Sequence, residues 1–217
     1  MPTPFENTRT PEKKPISKQL LRCAAILLLG VALGVVQKYL DISQSELPPF
    51  LMIIDTFLDL HNFLGGFSPW IVLAVCISIY SSSPVWAGAG VFSFFTGMIS
   101  SYYLYSNYIG GFFPKNYAMV WIALTMVSPF LAYLCWYAKG NSWVALLISA
   151  GILGFLVNTA FAYGLFYLDI RSTLDILMLL LGIAMLHKHR TGTLLEIGLS
   201  IPLAILMNQL IPFGIWD

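Results

Sequence analysis

Charged residues are scarce in this chain: Asp, Glu, Lys and Arg make up 10% of its 217 residues, whereas hydrophobic residues make up 58%. A soluble domain usually carries about 25% charged residues, because its surface faces water. A chain of this size has too little interior to hide so many apolar side chains. The shortage of charge therefore excludes an ordinary soluble domain and favours the lipid bilayer as the surrounding solvent.

A strong net charge and a cysteine framework are also missing. The formal net charge is +1, which gives no support to nucleic-acid binding. The three cysteines, Cys23, Cys76 and Cys135, lie in separate apolar runs without CxxC spacing, so neither a disulfide framework nor a zinc site is expected. We expect them to pack as small apolar residues.

Familiar catalytic motifs are absent as well. The sequence contains no HExxH metalloprotease motif, no GxSxG nucleophile elbow and no phosphate-binding glycine loop. His61 is the only histidine outside the basic run 187–190, so no Ser–His–carboxylate set can be assembled. The sequence therefore favours a protein that is not an enzyme and needs no cofactor or metal. Acid–base chemistry by Asp55 or Asp59 stays open.

Long apolar runs are what the chain does have. We predict seven apolar segments, at residues 20–36, 69–81, 85–105, 117–137, 143–165, 174–186 and 194–212. About 20 apolar residues cross a hydrocarbon core, but the second and sixth segments have only about 13. Six spans with one re-entrant segment are the alternative. The predicted fold is an all-α integral membrane protein, a bundle of seven or alternatively six transmembrane helices.

The basic residues predict an orientation. With residues 1–19 interpreted as a disordered cytoplasmic tail, eight Lys and Arg residues fall on the inner side and three on the outer side. The inner eight are Arg9, Lys13, Lys14, Lys18, Arg22, Lys139, Lys188 and Arg190, and the outer three are Lys38, Lys115 and Arg171. This bias predicts a multi-pass protein of the cytoplasmic membrane, with its N-terminus cytoplasmic and its C-terminus extracellular. A cleaved signal peptide is the alternative interpretation of the N-terminal region.

Ionisable residues interrupt one apolar stretch, LMIIDTFLDLHNFLGGFSPW at residues 51–70. We predict an amphipathic helix on the outer side over residues 47–64, with Asp55, Asp59 and Asn62 on a narrow polar stripe. His61 would fall about 120° from Asp55 around this helix, which argues against a metal site. The carboxylates either face water or point into an outward-facing vestibule, where their burial would require a bound cation or a partner.

Further polar and aromatic side chains fall in the outer half. Asn158 is expected either to hydrogen-bond between helices or to contact a ligand. The candidate ligand-binding residues are Asp55, Asp59, Asn62, Tyr102, Tyr105, Asn158 and Asn208. On the inner side, the HKHR run at 187–190 is interpreted as an anchor that touches anionic lipid, with a histidine metal site as the alternative.

Small residues recur at helical spacing in three segments. They are Gly30 and Gly34; Gly90, Ser93, Gly97 and Ser101; and Ala150, Gly154, Asn158 and Ala162. Such stripes let helix backbones approach closely. They indicate packing within the chain or, alternatively, a homodimer or a partner membrane subunit docked through Gly30 and Gly34. Pro129 and Pro202 are each expected to kink a helix and free a backbone carbonyl.

Two stretches carry a resemblance. The block SFFTGMISSYYLYSNYIGGFFPKNYAMVWIALTMVSPFLAYLCWYAKG at 93–140, with GVVQKYLD at 34–41, resembles a family of small multi-pass bacterial inner-membrane proteins of unknown function. The architecture is also similar to the substrate-binding membrane subunits of energy-coupling-factor vitamin transporters. Those are small six-span bundles whose long outer loop after the first helix covers the ligand. The chain matches them in size, in the loop 37–68 and in Gly30 and Gly34, and departs from them in its seventh span and outward C-terminus.

Three functions follow from these patterns as hypotheses. The leading one is a membrane protein that binds or transports a small molecule through an outward-facing polar and aromatic cavity. A non-catalytic accessory or assembly subunit of a membrane complex is the second, and a lipid-modifying membrane enzyme is the third.

Overall fold

The chain is mostly helical in a computed structural model that describes residues 8–42, 48–164 and 166–210. The helices are α1 (Ile16–Ile42), α2 (Pro49–Leu58), α3 (Leu60–Gly65), α4 (Ser68–Ile79), α5 (Pro84–Tyr108), α6 (Lys115–Trp136), α7 (Trp143–Ala160), α8 (Thr173–Leu186) and α9 (Arg190–Leu210). A single 3-10 turn, Tyr137–Lys139, follows α6, and the strands β1 (Phe161–Tyr163) and β2 (Leu168–Ile170) form a hairpin. Within the described ranges, four helices are long and apolar enough to cross a membrane: α1, α6 with its 3-10 turn, α7 and α9. The predicted class, a helical protein with membrane-length apolar helices, is confirmed at this level.

The helices group into two compact units. The first contains the described parts of Pro11–His61 and Tyr80–Trp136, and so holds α1, α2, α5 and α6. The second contains the described parts of Met1–Thr10, Asn62–Ile79 and Tyr137–Asp217, and so holds α4, α7, α8, α9 and the hairpin. We call them the α1–α5 unit and the α7–α9 unit.

Small residues bring α1 and α5 into backbone contact. A Cβ atom added to Gly30 would collide with the carbonyl oxygen of Phe94, and one added to Gly34 would collide with that of Met98. A Cβ atom added to Gly97 of α5 would likewise collide with the carbonyl oxygen of Leu27 on α1. The residue numbers of the contacting positions increase in the same direction along both helices. Helices α1 and α5 therefore run parallel. The packing within the chain that was predicted for Gly30 and Gly34 is confirmed, and docking of a partner subunit through them stays a prediction.

The second parallel pair is α7 with α9. A Cβ atom added to Gly154 would lie 3.0 Å from the carbonyl oxygen of Ser200. One turn later, the Asn158 amide donates to the carbonyl oxygen of Ala204. Contacts again rise together along the two helices, so α7 and α9 run parallel. The predicted small stripe stops at Asn158, because Ala162 belongs to β1.

The two short apolar segments are confirmed as short helices. Helix α4 has 12 residues and α8 has 14, and the two contact each other in the α7–α9 unit. Ser68, at the start of α4, donates a hydrogen bond to Asp175 in the first turn of α8. The two helices therefore begin at the same end of their unit.

Pro129 lies inside α6 and frees one backbone carbonyl, as predicted. The oxygen without its usual amide partner belongs to Thr125, four residues earlier. Ser128 supplies the replacement, because its hydroxyl donates to that oxygen at 2.8 Å. The proline thus sits in the helix without leaving this polar group unpaired in an apolar setting.

The prediction of one continuous helix over residues 47–64 is wrong. Helix α2 ends at Leu58, and Asp59 adopts a left-handed backbone conformation with φ 53° before α3 begins. The Asp59 amide closes the last turn by donating to the carbonyl oxygen of Asp55 at 2.7 Å. Aspartate tolerates this conformation better than most residues, so the helix can end here without a glycine. Residue 47 lies outside the described residues.

The fifth predicted segment, 143–165, is also too long. Helix α7 ends at Ala160, and Phe161–Tyr163 pairs antiparallel with Leu168–Ile170. Gly164 donates its amide to the carbonyl oxygen of Tyr167 and closes the hairpin. Aromatic residues followed by a glycine favour a strand and a turn here over another helical turn. Residue 165 lies outside the described residues.

Helix α1 is longer than predicted at both ends, because it begins at Ile16 and continues to Ile42. At its start, Ile16–Gln19 belongs to the helix and not to the predicted tail. Thr8, also placed in that tail, is buried, and its hydroxyl lies 2.7 Å from the Ser142 hydroxyl. Helix α9 begins at Arg190, four residues before the predicted start. Residues 1–7 and 211–217 lie outside the described residues.

Candidate ligand niche between α1, α5 and α6

A small cavity lies where the end of α1 meets α5 and the start of α6. Its lining consists of Gln37, Met98, Ile99, Tyr102, Tyr103, Tyr117 and Trp121. The volume is about 20 Å³, enough for one water-sized group. We call this cavity the niche. The parallel contact of α1 with α5 brings residue 37 beside residues 98–103, and α6 runs antiparallel to α5 to supply the third wall.

Tyr103 lines the niche, and its buried hydroxyl has no hydrogen-bond partner among the described residues. The side chain is 7% exposed, and its oxygen makes no hydrogen bond within the part of the chain that the structure describes. The ring packs edge-to-face on Tyr102 at 5.1 Å and on Phe113 at 5.5 Å between ring centroids. A buried hydroxyl left unpaired costs about 1–3 kcal/mol, so a ligand group that reached this oxygen would remove that cost.

A charged group borders the niche. Lys38 is buried, and its ammonium lies 2.6 Å from Asp41 Oδ2, one helical turn away. The same ammonium lies 4.8 Å from the centroid of the Tyr102 ring. The Tyr102 hydroxyl lies 3.4 Å from both Lys38 Nζ and Asp41 Oδ2. A carboxylate and an aromatic ring therefore hold one ammonium ion at the rim.

A wider depression opens beside the niche. It has a volume of about 430 Å³ and is lined by Phe112–Tyr117, so Tyr117 belongs to both spaces. The loop that forms it is anchored on α5, because the Ser106 hydroxyl donates to the carbonyl oxygen of Phe112 at 2.6 Å. Gly111 has φ 65°, a conformation that suits glycine, and turns the chain toward α6. The depression adjoins the niche at Tyr117, and its lining combines Phe112 and Phe113 with the polar Lys115 and Asn116.

Among the predicted site residues of this unit, only Tyr102 lines the niche. Tyr105 is half-buried on α5 and is not among the lining residues. Asp55 instead binds His61, whose Nδ1 lies 2.9 Å from Oδ2 and whose backbone amide donates to Oδ1 at 3.0 Å. Asp59 is 61% exposed and lies 3.6 Å from His61 Nδ1. The uniform helix that separated His61 from Asp55 does not exist, because the chain turns at Asp59.

The other predicted site residues belong to the α7–α9 unit. Asn158 is buried, donates to Ala204 O at 2.9 Å and accepts a hydrogen bond from the Tyr163 hydroxyl at 2.6 Å. Burial raises the pKa of Tyr163, which keeps this phenol protonated as a donor. The interhelical role predicted for Asn158 is therefore confirmed. Asn208 is half-buried in α9 and Asn62 is exposed in α3.

The α7–α9 unit also holds a buried carboxylate that the sequence did not single out as a site. Glu196 is 1% exposed, and Lys188 Nζ lies 2.9 Å from its Oε1. Nearby, Thr193 Oγ1 lies 2.9 Å from His187 Nδ1, and Lys139 donates to the carbonyl oxygen of His187. His187 and Lys188 of the HKHR run therefore form polar contacts with Lys139, Thr193 and Glu196. Among the described residues, no group of three or more His, Cys, Asp or Glu is placed to hold a metal ion.

Several residues of this region are missing from the candidate list drawn from the sequence: Gln37, Met98, Ile99, Tyr103, Tyr117 and Trp121 in the lining, and Lys38 and Asp41 beside it. One signal was available, since Lys38 and Asp41 stand three apart at the end of an apolar run and can pair on one helix face. The contribution of Tyr103 could not be found this way, because it depends on which face of α5 meets α1 and α6. No protein-family model, curated protein sequence or solved structure matches the chain. The resemblance to the two membrane-protein families stays a prediction.

Proposed function

We propose that this protein is a multi-pass membrane protein that binds a small molecule at the niche between α1, α5 and α6. The observation that carries the proposal is Tyr103, which lines a water-sized cavity and whose buried hydroxyl has no hydrogen-bond partner among the described residues. A ligand group that hydrogen-bonds to this hydroxyl removes its desolvation cost. Aromatic walls with a few convergent polar groups are typical of small-molecule sites.

We further propose seven membrane crossings, and the parallel helix pairs support this count. If α4 were re-entrant, the chain would return to the side where α1 ends, and α5 would run antiparallel to α1. The contacts of Gly30 and Gly34 give a parallel pair instead. The same reasoning applies to α8, because α7 and α9 are parallel.

The shortness of α4 and α8 fits crossings at thinned or protein-lined positions. At 1.5 Å per residue, their lengths are about 18 Å and 21 Å, whereas a hydrocarbon core is about 30 Å thick. Short helices of this kind in corresponding positions of two repeated halves are typical of transporters. Along the chain, a short helix separates the two members of each parallel pair: α4 lies between α1 and α5, and α8 lies between α7 and α9. This order of helices supports a parallel repeat and extends the proposal from binding to transport.

The proposed orientation puts the N-terminus in the cytoplasm of a bacterial cell and the niche on the outer side. Lys and Arg residues favour the inner side by eight to three. The niche lies at the end of α1, which would then face outward. A reporter fused after residue 217 should be accessible from outside intact cells, and labelling only after permeabilisation would reverse the assignment.

A thermal-shift screen of small solutes on the protein in lipid nanodiscs tests the binding proposal. Tyr103→Phe removes only the buried hydroxyl, and Tyr105→Phe is the matched control on the same helix. Without ligand, Tyr103→Phe should unfold at the same or a higher temperature, because it removes an unpaired polar group costing about 1–3 kcal/mol. With a ligand, wild type and Tyr105→Phe should be stabilised and Tyr103→Phe should not. A screen in which no solute distinguishes the two variants rejects the proposal.

A further inference from the structure

The rim of the niche already holds an ammonium ion, namely that of Lys38. This group is bound by the Asp41 carboxylate at 2.6 Å and by the face of Tyr102 at 4.8 Å from the ring centroid. An aromatic face and a carboxylate together are the groups that recognise organic cations, because the ring quadrupole presents negative charge to the cation. The Asp41 carboxylate and the Tyr102 ring therefore already bind one cation, the Lys38 ammonium.

The niche next to Lys38 has the size of one ammonium group. Its volume of about 20 Å³ accepts a water-sized head, such as a primary ammonium or a hydroxyl. Tyr103, whose buried oxygen has no partner among the described residues, lines the same space. The ring of Tyr117 belongs both to the niche and to the open depression beside it, so an apolar body attached to the head would lie along Phe112 and Phe113.

We propose that the ligand of the niche is a primary organic ammonium with a short apolar body, and that it competes with Lys38 for Asp41. The inference rests on the proposed function and names the chemical class of its ligand. Asp41 is half-exposed and so remains accessible to a second cation, while the long aliphatic stem of Lys38 lets its ammonium swing aside.

Three compounds with the same six-carbon body separate the head groups: hexylammonium, hexanol and hexanoate. Binding is measured by thermal shift and by calorimetry on the full chain in nanodiscs of neutral lipid. Hexylammonium should bind, hexanol should bind at least tenfold more weakly, and hexanoate should give no saturable signal. Tyr103→Phe should lose this binding and Tyr105→Phe should keep it, which separates binding at the niche from partition into lipid.

Two variants test the competition. Lys38→Met removes the resident ammonium but keeps the length of the stem, and should raise the affinity for hexylammonium several-fold. Asp41→Asn should lower it at least tenfold, whereas Asp59→Asn, which changes an exposed carboxylate, should leave it unchanged. If Lys38→Met does not fold, Tyr103→Phe tests binding at the niche instead. This variant should lose hexylammonium binding while it keeps the native unfolding transition.

The possible failures are distinguishable. If hexanol or another neutral solute binds in a Tyr103-dependent way and hexylammonium does not, the ammonium assignment is overturned and the niche keeps its function. If hexylammonium stabilises Asp41→Asn and wild type equally, the carboxylate does not recognise it and the assignment is again overturned. If no solute depends on Tyr103, the proposed function fails together with the ligand class.

Discussion

The side chain of Asn158 joins α7 to α9, because its amide donates to the carbonyl oxygen of Ala204 at 2.9 Å while its own oxygen accepts from Tyr163 at 2.6 Å. Both ends of the amide are therefore used inside the protein. This accounts for a buried asparagine in an apolar helix without a ligand. It also makes the α7–α9 contact dependent on one polar side chain next to Gly154.

Replacement of Asn158 by leucine should destabilise the protein by about 1–2 kcal/mol, since interhelical hydrogen bonds in membranes contribute about that much and the Tyr163 hydroxyl would lose its acceptor. Asn208→Leu, a change of the same size on a half-buried position of α9, is the control and should cost less. Equilibrium unfolding in bicelles measures both. An Asn158→Leu cost no larger than the control would contradict the role assigned here.

Gly30→Ala should cost several kcal/mol or prevent folding, because the added methyl group would overlap the carbonyl oxygen of Phe94 and overpacking of this kind cannot relax within a helix pair. Gly198→Ala is the matched control, since a Cβ atom there meets no atom within 4 Å. It should be neutral or stabilising by up to about 1 kcal/mol through helix propensity. Thermal unfolding of the two variants, compared with wild type, gives the answer.

Ser128→Ala should destabilise α6 by about 1 kcal/mol, because it removes the hydroxyl that bonds the Thr125 oxygen left without an amide by Pro129. In a Pro129→Ala background the backbone amide returns and the same serine change should cost much less. The double-mutant cycle measures this coupling directly. Equal costs in both backgrounds would mean that the hydroxyl does not substitute for the missing amide.

Lys188→Met should destabilise the protein by about 3–5 kcal/mol, because it leaves the buried Glu196 carboxylate without its partner. Exchange of both residues, Lys188→Met with Glu196→Gln, should recover most of that loss. Unfolding free energies of the single and double variants test the pair. A double variant as unstable as Lys188→Met alone would show that the charge pairing is not the cause.

Asp59→Gly should leave stability unchanged or raise it by up to about 1 kcal/mol, because glycine adopts φ 53° without a Cβ clash. Asp59→Val should lower it by at least about 1 kcal/mol, since a β-branched residue is strained in that region. Limited proteolysis between α2 and α3 compares the two variants. Resistance of the valine variant equal to that of wild type would indicate that the turn is not held in this conformation.

The sequence predicted the helices more successfully than the site. Segments of the chain that are apolar over 13 or more residues became α1 and α4–α9, because apolar length is a local property. The glycine stripe of α1 was also found, since spacing of four residues identifies a helix face. The helix that packs against that face was not predicted, because the choice between α5 and another subunit depends on contacts far apart in the sequence.

The errors have the same origin. A helical wheel assumes one continuous helix, so it placed His61 far from Asp55 until the turn at Asp59 brought them into contact. The predicted site residues were chosen by depth in the membrane. Depth does not tell which face of a helix a tyrosine occupies, so it could not show that Tyr102 and Tyr103 line the niche while Tyr105 does not.

Residue composition and apolar length alone determined that this chain belongs in lipid and is helical, because each depends on runs of neighbouring residues. The tertiary structure decided which polar groups meet: Lys38 with Tyr102 and Asn158 with Ala204. These pairings require two helices to lie parallel at a fixed register. That register is set by where small residues let the backbones touch, and no single segment of sequence contains it.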